Sequence, residues 1–277
     1  MPDIRIIALD LDGTLLNSNK ELTPGCRDAL DRAAAAGIEI VPTTGRFFDG
    51  MPEFIRELPY LRYAITINGA QVLDIRQNKV VYRAELPCEQ AVDIMRLLDT
   101  MPMIYDCYQD NWGWMTRDMW ERCGDYVPNA HYYKMVRELR TPVDDLKQFL
   151  LERNRGVQKI QFFTHDMPLR EKLLAEMEGQ FANIAVSTSV VNNVEINSAD
   201  ANKGAALMRL ADYLGVDRSQ TAAFGDGLND LSMIEAAGAG IVMANGHPDV
   251  KARADFIVES CDVDGVARGI ERYCLPG

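Results

Sequence analysis

Residues 4–14 read IRIIALDLDGT, and this stretch decides the fold. The isoleucine-rich run from Ile4 to Leu9, stopped by polar residues, predicts a buried strand that ends in a loop. Side chains two residues apart in an extended segment point to the same side, so Asp10 and Asp12 can face one site. In open α/β sheets, ligands bind at the carboxyl ends of the strands. The sequence therefore predicts a functional site immediately after the first strand.

Asp10 and Asp12 form an acidic pair that favours a bound cation. Two neighbouring carboxylates repel each other, and one tends to take up a proton unless a cation lies between them. Mg²⁺ prefers oxygen ligands and keeps room for waters and phosphate oxygens. Aspartate is also common in turns and caps, which would be the better interpretation of an isolated pair. Here the preceding strand and the following Gly13-Thr14 favour the functional interpretation.

Strands alternate with helices along both ends of the chain. Thr23-Pro24 predicts the start of a helix that stops at Gly37, between the first strand and a second at 38–41; a third is expected at Ala64–Ile67. This alternation predicts an α/β fold, a Rossmann-like doubly wound parallel sheet. It resumes near the C-terminus with a helix at 201–214, a strand at 221–224, a helix at 228–237 and strands at 240–243 and 256–258.

The middle of the chain has a different rhythm, with all three tryptophans and a predicted hairpin at Tyr105–Met115. It is interpreted as an α+β domain inserted into the α/β core. The predicted division is a discontinuous core at 1–85 and 189–277, with the insert at 86–188.

Polar residues also follow the other predicted core strands. Thr44 offers a hydroxyl, and Asp226 offers a third carboxylate, with Asn229 and Asp230 shortly beyond. Lys203 lies at a helix start and offers a compact cation suited to a phosphoryl oxygen. Taken alone, Thr44 is better explained as a loop residue and Lys203 as a surface lysine. The glycines around Asp226 do not make a dinucleotide loop, because the third glycine of that motif is missing.

Four motifs in order resemble the haloacid dehalogenase-like hydrolase superfamily. They are Asp10-Leu-Asp-Gly-Thr14, Thr43-Thr-Gly-Arg46, Asn202-Lys-Gly204 and Gly225-Asp-Gly-Leu-Asn-Asp230. The segment 67–70 and the placement of the insert resemble the Cof-type subgroup, whose α+β cap, of the C2B type, occupies that position.

The resemblance implies a phosphatase that uses Mg²⁺. Asp10 would be the nucleophile, forming an aspartyl-phosphate, and Asp12 the general acid and base. Asp10, the backbone carbonyl of Asp12 and Asp226 would bind the metal. Around them, the resemblance implies further roles: Asn229 and Asp230 support the metal site, and the phosphate or substrate is bound by Thr44, Gly45, Arg46, Asn68, Lys203 and Asn229.

The cap is expected to close over the leaving group and to set substrate choice. Trp112, Trp114, Tyr105 and His131 are candidates for this role, although aromatic residues in a hairpin are more often packing residues. The expected substrates are small phosphorylated metabolites, with sugar phosphates favoured. Two alternatives stay open: a phosphomutase of the same superfamily, and a binding or regulatory protein that has lost the chemistry.

Composition excludes several other classes of function. The formal net charge of -12 argues against nucleic acid and against anionic membranes as partners. Six scattered cysteines without a CxxC pattern argue against a zinc site and favour free thiols in a reducing compartment. With no apolar N-terminal stretch, the expected location is the cytoplasm.

Overall fold

The computed structural model describes residues 3–127 and 129–275, apart from the side chain of His131. These residues form two compact units. The core unit comprises the described residues within 1–46, 52–83 and 202–277. The inserted unit comprises those within 47–51 and 84–201.

The first part of the core unit alternates strands with helices before it ends in a small meander. Its elements are β1 (Ile6–Leu9), α1 (Pro24–Ala35), β2 (Glu39–Pro42), α2 (Glu53–Arg56), β3 (Tyr63–Thr66), β4 (Gln71–Asp74) and β5 (Lys79–Arg83). As predicted, Thr23 caps α1 by accepting a hydrogen bond from the amide of Cys26. Pro24 follows in the first turn, where its missing N–H leaves no bond unmade.

The inserted unit is an α+β arrangement. Its elements are α3 (Cys88–Leu98), β6 (Ile104–Gln109), β7 (Trp112–Thr116), α4 (Arg117–Arg122), α5 (Ala130–Leu139), β8 (Arg140–Val143), α6 (Leu146–Arg153), β9 (Lys159–Phe163), α7 (Met167–Gln180), β10 (Ile184–Ser187) and β11 (Asn193–Ser198). The strands form one sheet in the order β10-β11-β9-β6-β7-β8, with only the β7–β8 pair parallel.

The chain then returns to the core unit. The remaining elements are α8 (Lys203–Leu214), β12 (Thr221–Gly225), α9 (Leu231–Ala236), β13 (Ala239–Met243), α10 (Pro248–Lys251), β14 (Phe256–Val258) and α11 (Gly265–Tyr273). None of the helices in the described residues is long and apolar enough to span a lipid bilayer.

The core unit is organised by a five-stranded sheet in the order β14-β13-β12-β1-β2, and all of its pairs are parallel. Ile6 and Ala8 on one face pack in the same apolar cluster as Leu207 of α8. On the other face, the ring of Phe224 lies directly against Gly269 of α11. Helices therefore cover both faces, as the predicted doubly wound fold requires. The strand order reverses at β1, which is where such sheets bind ligands.

The pairing of one strand and one domain boundary differ from the sequence expectation. The third strand is Tyr63–Thr66, and it pairs with β4, which in turn pairs with β5, in a separate antiparallel sheet. An isolated bridge between Thr43 and Ile65 links this strand to the end of β2. The boundary expected after Thr188 lies after Ala201 instead, because β11 pairs with β9 and β10 inside the inserted sheet.

Gly69 allows the loop after β3 to approach the start of α8. Its φ is +94°, and a Cβ built there would lie 2.2 Å from the backbone oxygen of Asn202. Gly37 offers a comparison, since its φ is +85° but nothing lies within 4 Å of a Cβ. Both positions favour glycine for conformational reasons, whereas only Gly69 is also required by a close contact.

We expect Gly37→Ala to lower the free energy of unfolding by about 1 kcal/mol, the cost of placing alanine at positive φ. Gly69→Ala adds a backbone overlap, so its loss should reach about 3 kcal/mol. Urea unfolding of both variants measures the difference. Equal losses would show that the backbone contact at Asn202 is not stabilising the core unit.

Candidate active site

Asp10 and Asp226 follow the two adjacent central strands of the core sheet. The amide of Asp10 continues the ladder by donating to the carbonyl oxygen of Phe224 at 3.0 Å. Because β1 and β12 are parallel, their carboxyl ends lie at the same edge. The side chains that follow them therefore converge on the point where the strand order reverses.

Lys203 is the centre of this convergence. Its side chain is fully buried, and its Nζ lies 2.6 Å from Asp10 Oδ1 and 2.6 Å from Asp230 Oδ1. Burial disfavours the charged lysine, but the two carboxylates outweigh it and raise the pKa of Lys203. For Asp10, burial and the charge of Asp230 outweigh the lysine and hold its pKa well above the ordinary range.

The start of α8 is built to deliver this lysine. Asn202 caps the helix, with its side-chain oxygen accepting a hydrogen bond from the amide of Ala205 at 2.7 Å. The next position, Gly204, packs against α9, where a Cβ would lie 2.2 Å from the backbone oxygen of Ser232. The amide of Gly204 also donates to Ser232 Oγ at 3.1 Å. A helix start held this closely fixes the direction of the Lys203 side chain.

Asp230 also organises the loop after β12. Its Oδ2 accepts hydrogen bonds from the amides of Asp226 and Gly227, each at 2.9 Å. This loop passes through a short 3₁₀ turn at Leu228–Asp230, so the predicted helix begins later, at Leu231. Thr14 Oγ donates to Asp226 Oδ1 at 2.7 Å. Burial and the charge of Asp230 nevertheless raise the pKa of Asp226 to about 6.

Asp10, Asp226 and Asp230 form a group able to hold a metal ion. Each offers a carboxylate oxygen, and these oxygens lie within 4.8 Å of one another. Burial raises the pKa values of Asp10 and Asp226 most, and the neighbouring carboxylates raise them further in spite of Lys203. A crowded set of carboxylate oxygens matches the preference of Mg²⁺ for hard oxygen ligands. The residues therefore fit such an ion.

The side chain of Asp12 has a different environment from that of Asp10. Arg46 contacts both of its oxygens, with Nε 3.0 Å from Oδ2 and Nη2 3.0 Å from Oδ1. Lys20 Nζ lies 2.9 Å from Oδ1. Burial raises the pKa of this carboxyl, but Arg46 and Lys20 outweigh burial and leave the pKa below its usual value.

The structure differs from two expectations: that the carboxylates of Asp10 and Asp12 share one cation, and that Asp230 is only a supporting residue. The carboxylate of Asp12 is held by Arg46 and Lys20 and lies outside the acidic group, so only its backbone oxygen is left for the expected ligand role. Asp230 was expected only as a supporting residue, but its carboxylate belongs to the group. Its distance from Asp226 in the fold could not be read from sequence spacing alone.

Thr44, Gly45, Asn68 and Asn229 are brought together on neighbouring loops. The amide of Asn68 donates to the carbonyl oxygen of Thr44 at 3.0 Å, and Asn229 Nδ2 donates to Asn68 Oδ1 at 3.4 Å. A Cβ at Gly45 would lie 2.8 Å from Asn68 Oδ1. Asn68 itself has φ +56°, and the preceding Ile67 has φ +55°, a rare conformation for a β-branched residue. Such strain persists only where its surroundings enforce it.

The sequence analysis gave no role to Thr14 or Lys20. Thr14 was noted only as the last residue of the acidic motif. Lys20 carried no signal, because a lone lysine in a polar loop is normally a solvated residue.

The aromatic candidates of the inserted unit are packing residues in part. Tyr105 is fully buried in the apolar cluster of that unit, and its hydroxyl donates to Asp99 Oδ1 at 2.7 Å. Trp114 packs against Phe149, with ring centroids 4.5 Å apart. The indole nitrogen of Trp112 donates to Thr141 Oγ at 2.9 Å. The side chain of His131 lies outside the described residues.

Comparison with known proteins agrees with this architecture. A family model described as haloacid dehalogenase-like hydrolase matches residues 7–270. The phosphatase YwpJ of Bacillus subtilis is 30% identical, over 95% of this chain and 98% of its own. The pyridoxal phosphate phosphatase YbhA of Escherichia coli is 29% identical, over 98% of this chain and 99% of its own. A solved structure of a haloacid dehalogenase-like hydrolase from B. subtilis has a TM-score of 0.80 at 28% identity, covering 98% of this chain and 100% of that one.

The chain belongs to the haloacid dehalogenase-like hydrolase family. The family and the α/β fold that the four motifs predicted are therefore confirmed.

We expect Lys203→Met to lower the free energy of unfolding by about 3–5 kcal/mol at pH 8 without metal, because two buried carboxylates lose their shared cation. The loss should shrink at pH 5, where the carboxylates can take up protons. Urea unfolding at both pH values measures this, with the exposed Lys79→Met as control. A loss that is equal at both pH values would contradict the assigned charge balance.

The pKa of Asp226 predicts how the metal-free protein responds to pH. Its folded value of about 6 exceeds its ordinary value of 3.8, so the folded state binds more protons between these limits. Its contribution to stability is therefore greatest below pH 3.8 and is lost as pH rises through 6. Asp226→Asn should lessen the fall in unfolding free energy between pH 5 and pH 7, measured in a chelator. An unaltered pH dependence would show that another group causes it.

Proposed function

We propose that this protein is a Mg²⁺-dependent phosphatase that hydrolyses small phosphorylated metabolites through an aspartyl-phosphate on Asp10. The observation that carries this proposal is the buried contact of Lys203 with Asp10 and Asp230 beside Asp226. The family of the chain and its phosphatase relatives support the reaction class of a phosphoric monoester hydrolase. Sugar phosphates are the substrate class that we put first.

The acidic group supplies the ligands for the ion. Asp10, Asp226 and the backbone carbonyl of Asp12 would hold Mg²⁺, with Asp230 and Asn229 in support. The chemistry supplied by the bound ion is neutralisation of the repulsion between a carboxylate nucleophile and an anionic phosphate.

In the first step, a carboxylate oxygen of Asp10 attacks phosphorus, and the bond from phosphorus to the leaving oxygen breaks. Asp12 gives its proton to that oxygen, so the product leaves as an alcohol. Lys203 is placed beside Asp10, where its charge can offset the charge on the phosphoryl oxygens. Thr44, with the neighbouring Asn68, would donate hydrogen bonds to the same oxygens.

In the second step, water attacks phosphorus and Asp12 accepts its proton. The bond from phosphorus to Asp10 breaks, which frees the carboxylate and releases inorganic phosphate. The proton that Asp12 takes from water is the one it donates in the next turnover. The ion pairs with Arg46 and Lys20 favour the ionised form of Asp12 that this second step needs.

The two alternatives are less well supported. A phosphomutase would return the phosphoryl group to a substrate, and only retention of phosphate on the product distinguishes it. A protein that had lost the chemistry would be expected to lack one of its central residues. Asp10, Asp12, Lys203 and Asp226 are all present and, apart from the side chain of Asp12, converge at one edge of the sheet.

The cytoplasm is the proposed location. All six cysteines lie within the described residues, and each is a buried free thiol. Unpaired thiols are typical of proteins from reducing compartments.

The test is phosphate release from a panel of sugar phosphates, pyridoxal phosphate, nucleotides and p-nitrophenyl phosphate, with Mg²⁺ and with chelator. We expect release only with Mg²⁺. Asp10→Asn should lower kcat by about 10³-fold or more, since it removes the nucleophile. Asp12→Asn should lower kcat by about 10²–10⁴-fold, the range for losing a general acid or base.

Lys79→Met serves as the matched control, because this exposed lysine contacts Tyr213 and none of the proposed catalytic groups. No phosphate release from any compound by a folded protein that binds Mg²⁺ would overturn the proposal. Release that persists undiminished in Asp10→Asn would exclude the aspartyl-phosphate.

A further inference from the structure

We propose that Lys20 is a positioning residue that holds the Asp12 carboxylate in the orientation needed for both proton transfers. The inference rests on the proposed function, in which Asp12 acts as acid and then as base. Lys20 Nζ lies 2.9 Å from Asp12 Oδ1, the oxygen that also lies 3.0 Å from Arg46 Nη2. No motif of the sequence pointed to this lysine.

The loop that carries Lys20 is a built turn. Asn17 Oδ1 accepts hydrogen bonds from the amides of Asn19 and Glu21, each at 2.9 Å, and the amide of Asn17 donates to the carbonyl oxygen of Glu21 at 3.0 Å. Lys20 closes the turn by donating its amide to the carbonyl oxygen of Asn17 at 2.9 Å. A turn with this many internal bonds gives the lysine a defined starting point.

Two further features fix the direction of the turn. Lys20 has φ +63°, a left-handed conformation that lysine rarely adopts and that must be enforced by its surroundings. Ser18 ties the turn to a distant part of the chain, since its amide and its hydroxyl both donate to Asp262, at 2.8 Å and 2.6 Å. The backbone is therefore strained and tethered in the arrangement that brings Lys20 to Asp12.

Stability does not account for this arrangement. The Lys20 side chain is 52% exposed, and exposed ion pairs contribute little to the free energy of unfolding. The consequence of the contact must then lie with Asp12 itself. Arg46 already binds both oxygens of Asp12, and Lys20 is a second cation on the same carboxylate.

Arg46 has a second expected role, which is to bind the phosphate or substrate. When the Arg46 guanidinium turns toward a phosphate, its two-point contact with Asp12 loosens. Lys20 reaches Asp12 from a different loop, and its contact does not depend on Arg46. It can therefore keep the carboxylate oriented while the substrate is bound.

A comparison of two substrates separates an effect on proton transfer from a structural fault. p-Nitrophenyl phosphate has a good leaving group that needs no proton, so its transfer to Asp10 does not require Asp12. Breakdown of the aspartyl-phosphate by water still requires Asp12 as base. A hexose phosphate requires Asp12 in both steps. A change confined to proton transfer thus affects the steps unequally, whereas a structural fault does not.

The experiment is rapid-quench measurement of phosphoenzyme formation and breakdown in Lys20→Met with both substrates. We expect breakdown to slow about 10-fold, less than the roughly 10²–10⁴-fold effect of losing a general base outright. Formation should change less than about 2-fold with p-nitrophenyl phosphate but fall about 10-fold with the hexose phosphate. The urea midpoint should stay at the wild-type value.

Four variants complete the design. Lys20→Arg should restore both rates, and Lys79→Met should leave them unchanged. Asp262→Ala keeps the charge of Lys20 but frees the turn, and should reproduce part of the Lys20→Met effect. Asp12→Asn reports on the proposed function in the same assay.

The outcomes separate the two proposals. If Asp12→Asn slows breakdown while Lys20→Met equals wild type, the inference on Lys20 is overturned and the proposed function stands. An equal slowing of all steps in Lys20→Met also overturns the inference. If the wild-type protein forms no phosphoenzyme with either substrate, both proposals fail.

Discussion

The structure depends on one buried ionic interaction, the contact of the Lys203 ammonium with Asp10 and Asp230. A fully buried lysine is tolerated only when paired, and here two carboxylates at 2.6 Å supply the compensation. The contact joins the end of β1, the start of α8 and the loop after β12. Each of these segments must therefore be positioned closely, which explains why Gly69 and Gly204 stand where backbones meet.

Asp10 and Asp12 show how two carboxylates two residues apart can have opposite electrostatic environments. Burial and the nearby Asp230 raise the pKa of Asp10, while Arg46 and Lys20 lower the pKa of Asp12. Environments that separate two titratable groups in this way are typical of acid–base sites. The separation arises because β1 ends at Leu9. The amide of Asp10 still continues the sheet ladder, whereas the side chain of Asp12 reaches the loops that carry cations.

Much of this could be predicted from local sequence, and the remainder depends on long-range pairing. The apolar run before Asp10 and the Thr23 cap are local signals, so β1 and α1 were found. An apolar run does not specify its partner, so the strand expected at Ala64–Ile67 was placed in the parallel sheet instead of the antiparallel one. The strand Asn193–Ser198 is mostly polar, and it joins the inserted sheet through β9 and β10. Lys20 acts through a turn whose tether, Asp262, lies far away in sequence.

In the proposed function, the charges at this edge of the sheet would explain why an anionic substrate binds together with a divalent cation. The carboxylates of Asp10, Asp12, Asp226 and Asp230 face the cations Lys203, Arg46 and Lys20, which leaves one negative charge among these named groups. A protein of net charge -12 adds no general attraction for a phosphate. A divalent cation bound to the acidic group reverses the local sign, so the same residues that repel an anion without metal attract one with it. Burial and the neighbouring carboxylates, which raise the pKa of Asp226, are also the features that would favour a bound cation at this edge.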